Sequence, residues 1–391
     1  MNVSDNISKL YIIKFSKWFM LYMPIIGLYY SEHGLNASDL FVLQAAYSLS
    51  SGVFEIPSGY MADVVGRKKT IVLGSTMGAF GFFIYTIFPG FWFFLVAEII
   101  MGIGQSFISG ADSAMLYDSL KHSKSQDKYI SHEGRMNSLG GFAETGAAMA
   151  GGAVAVVLSL HSVFLFQIII AAIAIPAAIM LVEPKRSKLV MSRSFRQIFD
   201  ISIYAMFKNK QLSSVIFMSS LVGLATLLMA WTIQAYFVEL SMSEETVSFI
   251  WVLLNLTVAV VSLFAAWLLR KAGIKKLLVL IMIIVPLTYI IMGVAPFMFA
   301  LPALFVFYII RGYATPLLKD LVQENCDSDI RATILSVRGL IIRLGFGLLA
   351  PVIGFFSGVV SLQYTILGIG ILFSVLLTAS YIRYRLYNSK K

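Results

Sequence analysis

Four charged side chains set within long apolar runs are where this sequence can do chemistry: Glu98, Glu144, Arg311 and Arg343. Ionisable groups in such surroundings are costly and face protein or a wet cavity, so each marks a functional position. Arg311 and Arg343 fall near the middle of their runs, too deep to snorkel to water. Guanidinium forks bind carboxylate and phosphate, so the pair predicts an anionic or zwitterionic small solute. Glu98 and Glu144 are the predicted proton-coupling groups, because a carboxyl kept from water can change protonation within a working cycle. Gln105, Gln234 and Asn255 complete the predicted substrate-binding set, while Gln167 and Arg338 are secondary candidates read first as structural. The competing reading of the arginines is packing, with helix carbonyls or a neighbouring carboxylate holding them in place. Lys14 and Lys17 lie near one end of their run and are expected to snorkel.

The chemistry that is missing narrows the class. His33, His122, His132 and His161 all fall between apolar runs, and the single cysteine, Cys326, joins no grouping with metal-ligand spacing. No metal, cofactor or catalytic set is predicted, and an enzyme is not expected.

The elements that must position these residues follow from composition. Of 391 residues 59% are hydrophobic and 13% charged, with a mean hydropathy of +0.84, against about 25% charged in a water-soluble domain. The apolar runs are about 20 residues long, the length of a spanning helix, and do not alternate as barrel strands do. An all-α membrane protein is predicted, with helices near 10–30, 38–61, 70–88, 92–116, 137–159 and 163–182, then near 212–238, 246–269, 277–296, 300–322, 332–357 and 361–382. The polar start, Met1 to Asn6, leads into the first run without a small-residue cleavage site, so an uncleaved first span is expected.

The net charge of +10 is confined to alternate loops, around Arg67–Lys69, Lys121–Arg135, the stretch 183–211, Arg270–Lys276 and Arg383–Lys391. The loops between them, around Glu32, Pro89, His161, Glu244, Pro296 and Gly358, carry neither Lys nor Arg. This pattern orients spans, placing both termini in the cytoplasm and requiring an even number of crossings, twelve; it is not the pattern of a nucleic-acid-binding face. The expected organisation is a six-helix bundle over 1–183, a cytoplasmic linker over 184–211 and a second bundle over 212–391. Phe195, Ile198, Phe199 and Met206 in the linker suit either an amphipathic helix on an anionic leaflet or a solvated basic loop. Spans three, six, nine and twelve hold no charged residue in their interiors, so every third helix is suited to face lipid and the others to bound a cavity. Gly102, Gly104 and Gly110 in span four and Gly140 to Gly152 in span five are expected to allow close helix contact.

The stretch Gly59-Tyr60-Met61-Ala62-Asp63-Val64-Val65-Gly66-Arg67-Lys68-Lys69 resembles the cytoplasmic loop motif of the major facilitator superfamily, and Arg270 to Lys276 echoes it after the second span of the other half. The resemblance implies two bundles rocking about a midplane site, with Gly59, Asp63, Gly66, Arg67 and Lys68 forming a gating latch and Asp63 lying by the helix start at Arg331-Ala332-Thr333. Glu55 to Gly59, Ser109 to Asp118 and Arg331 to Ser336 look like stretches of bacterial drug and metabolite exporters. Glu98 stands where proton-coupled members often carry Arg, and the helix-five antiporter signature is reduced to Ala147-Ala148 and Gly151-Gly152. The implied function is a monomeric, proton-linked exporter of a small solute in the bacterial inner membrane, needing only solute, protons and a lipid bilayer as partners. Proton-symport uptake of an anionic metabolite or siderophore-like compound, and a non-transporting receptor or scramblase, are the alternatives.

Overall fold

The computed structural model describes residues 3–109, 111–125, 128–184, 200–326 and 330–388, and among them all regular structure is helical. One compact unit comprises residues 1–192 together with Phe237–Val252; the other comprises Arg193–Tyr236 and Leu253–Lys391.

The first unit contains α1 (Asn6–Trp18), α2 (Ile26–Glu32), α3 (Ala37–Val64), α4 (Arg67–Ile87), α5 (Phe91–Ile108), α6 (Ala111–His122), α7 (Tyr129–Val157) and α8 (Leu160–Ile179). Local sequence sets several of these boundaries. Asn36 and Asp39 form a reciprocal capping box at the start of α3, with hydrogen bonds of 3.1 and 3.0 Å. Ser159 accepts from the Ser162 amide to open α8. The chain turns into α4 at Gly66 and into α5 at Gly90, both at φ of 117°, a conformation only glycine adopts without strain. Helices α4 and α5 then approach to backbone distance, because a Cβ on Gly74 would stand 2.7 Å from the Gly104 carbonyl oxygen. Gly102 similarly admits α3, a Cβ there meeting the Tyr47 carbonyl at 2.5 Å. Gly110 lies outside the described residues.

The second series comprises α9 (Lys210–Glu239), α10 (Glu244–Leu263), α11 (Ala265–Ala272), α12 (Ile274–Val294), α13 (Phe297–Glu324), α14 (Arg331–Val359) and α15 (Leu362–Asn388). The adjoining ends of α9 and α10 belong to the first unit and the remainder to the second. Here too a glycine lets helices touch: a Cβ on Gly293 of α12 would meet the Leu367 amide of α15 at 2.7 Å. Of the linker residues proposed for an amphipathic helix, Phe195, Ile198 and Phe199 lie outside the described residues, and Met206 falls in a π-helical turn, Tyr204–Lys208.

Ten helical stretches among the described residues are long and apolar enough to cross a membrane. The two expected spans outside this set are the first two. Helix α3 is long enough at 28 residues, but carries Asp39, Glu55 and a series of serines. The expected continuous helix over 10–30 does not form: it breaks between Trp18 and Ile26. The expected fourth span likewise divides into α5 and α6, and the eighth into α10 and α11, where Phe264 caps α11.

Candidate functional site

The break in the first span has a clear physical origin. Pro24 has no amide to donate and its ring crowds a preceding carbonyl, which disfavours helix at this point. Short turns take over, with the Met23 amide donating to Met20 at 3.3 Å and the Ile25 amide to Tyr22 at 3.1 Å. The buried Leu21 amide donates to Gln167 Oε1 on α8 at 2.8 Å. Gln167 thus has the structural role expected of it, replacing a lost helical hydrogen bond. On the other side of the break, Gly140, Gly146 and Gly151 of α7 lie against Trp18, Phe19 and the Leu21 carbonyl, so a side chain at Gly151 would collide with backbone. Glu144, half-buried, stands one helical turn from Gly140 on this same stretch of α7.

Past the break, α2 carries Tyr29 and Tyr30 into the first unit's core, where they meet Glu98. Its carboxylate is buried, and Oε1 accepts from Tyr85 Oη at 2.6 Å, Gln44 Nε2 at 2.7 Å and Tyr30 Oη at 3.0 Å. The two phenol oxygens lie 2.5 Å apart, and since each has a single proton, none is left to bridge them when both are given to Oε1. Phe94 stacks on both Tyr30 and Tyr85, with centroids 5.8 and 4.7 Å away, while Phe164 lies 3.9 Å over Tyr29. Tyr29 donates to the Tyr85 carbonyl at 3.0 Å. A carboxyl inside hydrocarbon is thereby supplied with three donors and a wall of aromatic carbon, and among the described residues it has no cationic partner. All its hydrogen-bond partners come from α2, α3 and α4 of its own unit. Sequence reasoning found Glu98 but missed Tyr30, Tyr85 and Gln44, because only the broken first span brings Tyr30 into reach. Tyr22, within the break, lies in electrostatic range of both Glu98 and Glu144.

At the end of the unit that bears the loop motif, Arg67 pairs with Asp118 and donates to the Ala114 carbonyl, both from α6. Glu183 accepts from the Arg67 amide at 3.1 Å and the Lys68 amide at 2.7 Å, a carboxylate on the N-terminus of α4. This cap was not foreseen, although a lone Glu at the end of a basic-flanked span was its signal. The Asp63 side chain and those of Arg331 and Ala332 lie outside the described residues. Lys14 departs from expectation: instead of snorkelling it is 11% exposed and pairs with Asp112 at 3.7 Å. A carboxylate within reach removes the need to seek water. The next residue, Ser113, donates to Glu133 at 3.0 Å.

In the second unit Arg311 sits beneath the Tyr308 ring, 5.3 Å from its centroid, and among the described residues makes no ion pair. Its helix carries Pro316, which removes the donor for the Gly312 carbonyl; Ser262 Oγ of α10 fills that place at 2.8 Å. Arg338 donates through Nε to Ser219 Oγ at 2.5 Å, tying α14 to α9. Lys319 lies within electrostatic range of Arg338, a cation that the sequence reading passed over. Arg343, Gln105 and Asn255 are half-buried and Gln234 is buried.

The Major Facilitator Superfamily model matches residues 11–350. Over 108 residues the chain is 26% identical to the quinolone resistance protein NorA of Staphylococcus aureus, covering 27% of this chain and 28% of that relative. The chain thus spans about a quarter of the length of the curated relatives it matches. A mutant form of the nucleoside transporter NupG superposes with a TM-score of 0.79 at 16% identity, over 98% of this chain and 100% of that one. A bacterial homologue of the human lysosomal transporter Spinster, inward-facing and unoccupied, gives 0.73 at 15% identity over 98% and 96% of the two chains. At such identities the likeness is one of fold.

Proposed function

Because the chain belongs to the major facilitator superfamily, whose members are transporters and not enzymes, we propose that it moves a small anionic or zwitterionic organic solute by alternating access, coupled to protons and directed outward. In this reading the α1–α2 pair and α3 join the ten long apolar helices to make twelve spans, with both termini in the cytoplasm of a bacterium.

The observation that carries the anionic assignment is Arg311. A guanidinium in the middle of a spanning helix, faced by an aromatic ring and by no carboxylate among the described residues, is stabilised when a substrate anion arrives. Arg343, Gln234, Asn255 and Gln105 are proposed as further substrate-binding residues. Glu98 and Glu144 are proposed as proton carriers, linked through Tyr22 in the break of the first span. Outward direction takes its support from the partial likeness to a resistance protein.

The test is flux in proteoliposomes, with purified protein, a panel of organic anions and zwitterions, and a pH gradient imposed in either sense. Accumulation that reverses with the gradient and is lost in Arg311→Ala is expected. Flux of a cationic solute that is indifferent to Arg311 would overturn the assignment.

A further inference from the structure

The second unit contains a cavity of about 340 Å³, bounded by Leu228 of α9 and by facing sides of α14 and α15. On α14 the lining residues recur at Leu349, Val352, Ile353, Phe356 and, just past the helix end, Val360, the spacing of a single helix face. On α15 they run from Tyr364 and Thr365 through Gly368 and Ile369 to Leu372 and Phe373, again one face. The cavity is therefore a cleft between two antiparallel helices that begins at their turn. Its walls are carbon apart from the Thr365 hydroxyl, which donates to Ser361 at 2.7 Å, and the Tyr364 phenol at the mouth.

Its length is informative. From Leu349 to Val360 and from Tyr364 to Phe373, at about 1.5 Å per residue, the cleft is roughly 15 Å deep, half of a hydrocarbon core about 30 Å thick. It also opens sideways: Val352, Phe356, Val360 and Leu372 on its rim are exposed, and Tyr364 is 67% exposed. Tyrosine with its ring in hydrocarbon and its hydroxyl at the headgroups marks a membrane interface. A carbon-lined cleft does not take up water, and left empty it forfeits dispersion contacts on every wall. The medium beside it on that face is lipid.

We propose that this cleft is a binding site for one acyl chain of a bilayer phospholipid, held with its headgroup at Tyr364 and its tail between α14 and α15 down to the level of Phe373. The site depends only on the protein's lying in a bilayer, so it stands apart from the choice of solute.

Gly368 supplies the test, since a Cβ built there meets nothing within 4 Å and a larger side chain can enter the cleft without displacing a neighbour. Full-length protein would be reconstituted with a phospholipid carrying a mid-chain photoreactive diazirine, irradiated, and the labelled peptides mapped by mass spectrometry. Labelling of Leu349–Phe356 and Gly368–Phe373 should exceed that of the exposed α12 face at Ile283 and Leu287 several-fold. Gly368→Leu should bring it down to the α12 level, and Gly368→Ala to between the two, with α12 labelling unchanged. Should Gly368→Leu fail to fold, Thr365→Leu narrows the same cleft from the next turn. Labelling equal to α12 in the unsubstituted protein, or unaffected by filling the cleft, would overturn the proposal. So would displacement of the label by a water-soluble solute but not by excess unlabelled phospholipid.

Discussion

Glu98 illustrates how much one residue's meaning depends on its neighbours. A carboxylate in an apolar run was visible in the sequence. What was not visible was that two phenols and an amide from three different helices converge on a single oxygen, since a sequence does not show which helices pack together. Two variants separate structure from function here. Glu98→Ala removes the acceptor that three buried donors share; Tyr30 still has Tyr85 and Gln44 within reach, so at least one donor is left without a partner at about 1–3 kcal/mol, and a fall in the unfolding temperature in detergent is expected. Glu98→Gln keeps an acceptor for the donors; it should remain folded and exchange solute while losing accumulation driven by a pH gradient, as read by flux assays with and without the gradient. Retained accumulation would clear Glu98 of proton coupling. Arg311 poses the opposite case, a charge with no ion-pair partner among the described residues. Arg311→Ala should weaken solute binding more than Arg343→Lys, which keeps the charge and loses the fork; titration of purified protein with the solute found by flux measures both.

Among the elements, the long helices of both units were legible because a span needs only an apolar run of sufficient length. The breaks were not, since Pro24 stops a helix while Pro57, Pro176 and Pro351 are carried inside theirs. In both cases backbone groups left without helical partners are served from elsewhere, the Leu21 amide at the break by Gln167 and the Gly312 carbonyl inside a continuous helix by Ser262. Gln167→Leu, close in shape but unable to accept, should therefore destabilise the protein by about 1–3 kcal/mol, the cost of a buried amide without a partner. An unfolding temperature equal to the parent's would mean that the break is held by packing alone. Lys14 teaches a related point: its proximity to a helix end suggested snorkelling, but Asp112 is brought near only by the folding of α1 against α6.

At the scale of the whole molecule, alternation of basic and base-free loops was the most informative feature of the sequence, because it tests every span against every other. Its consequence is measurable. With Cys326 replaced by Ser, a cysteine at His161 should react with an impermeant maleimide in intact cells, and one at Lys124 only after lysis. The reverse pattern would invert the orientation. The Arg67–Asp118 pair belongs to this scale as well, since it anchors the loop motif to α6. Arg67→Ala should impair transport with expression nearly intact, and a charge swap, Arg67→Asp with Asp118→Arg, should recover part of it. Recovery would be absent if Arg67 worked through its length and carbonyl contact alone.

The arrangement around Glu98 has one more consequence. All three donors occupy Oε1, and among the described residues none is directed at Oε2. In the proton-carrying role proposed for Glu98, a proton would be taken at Oε2 and released from it without displacing a donor from Oε1. In that proposed role the group is like a capacitor plate fixed in an insulating frame, with its charge switched while its mount stays still. Whatever moves in response must then be moved by the change in field, across a distance, and not by the parting of the bonds that hold the plate.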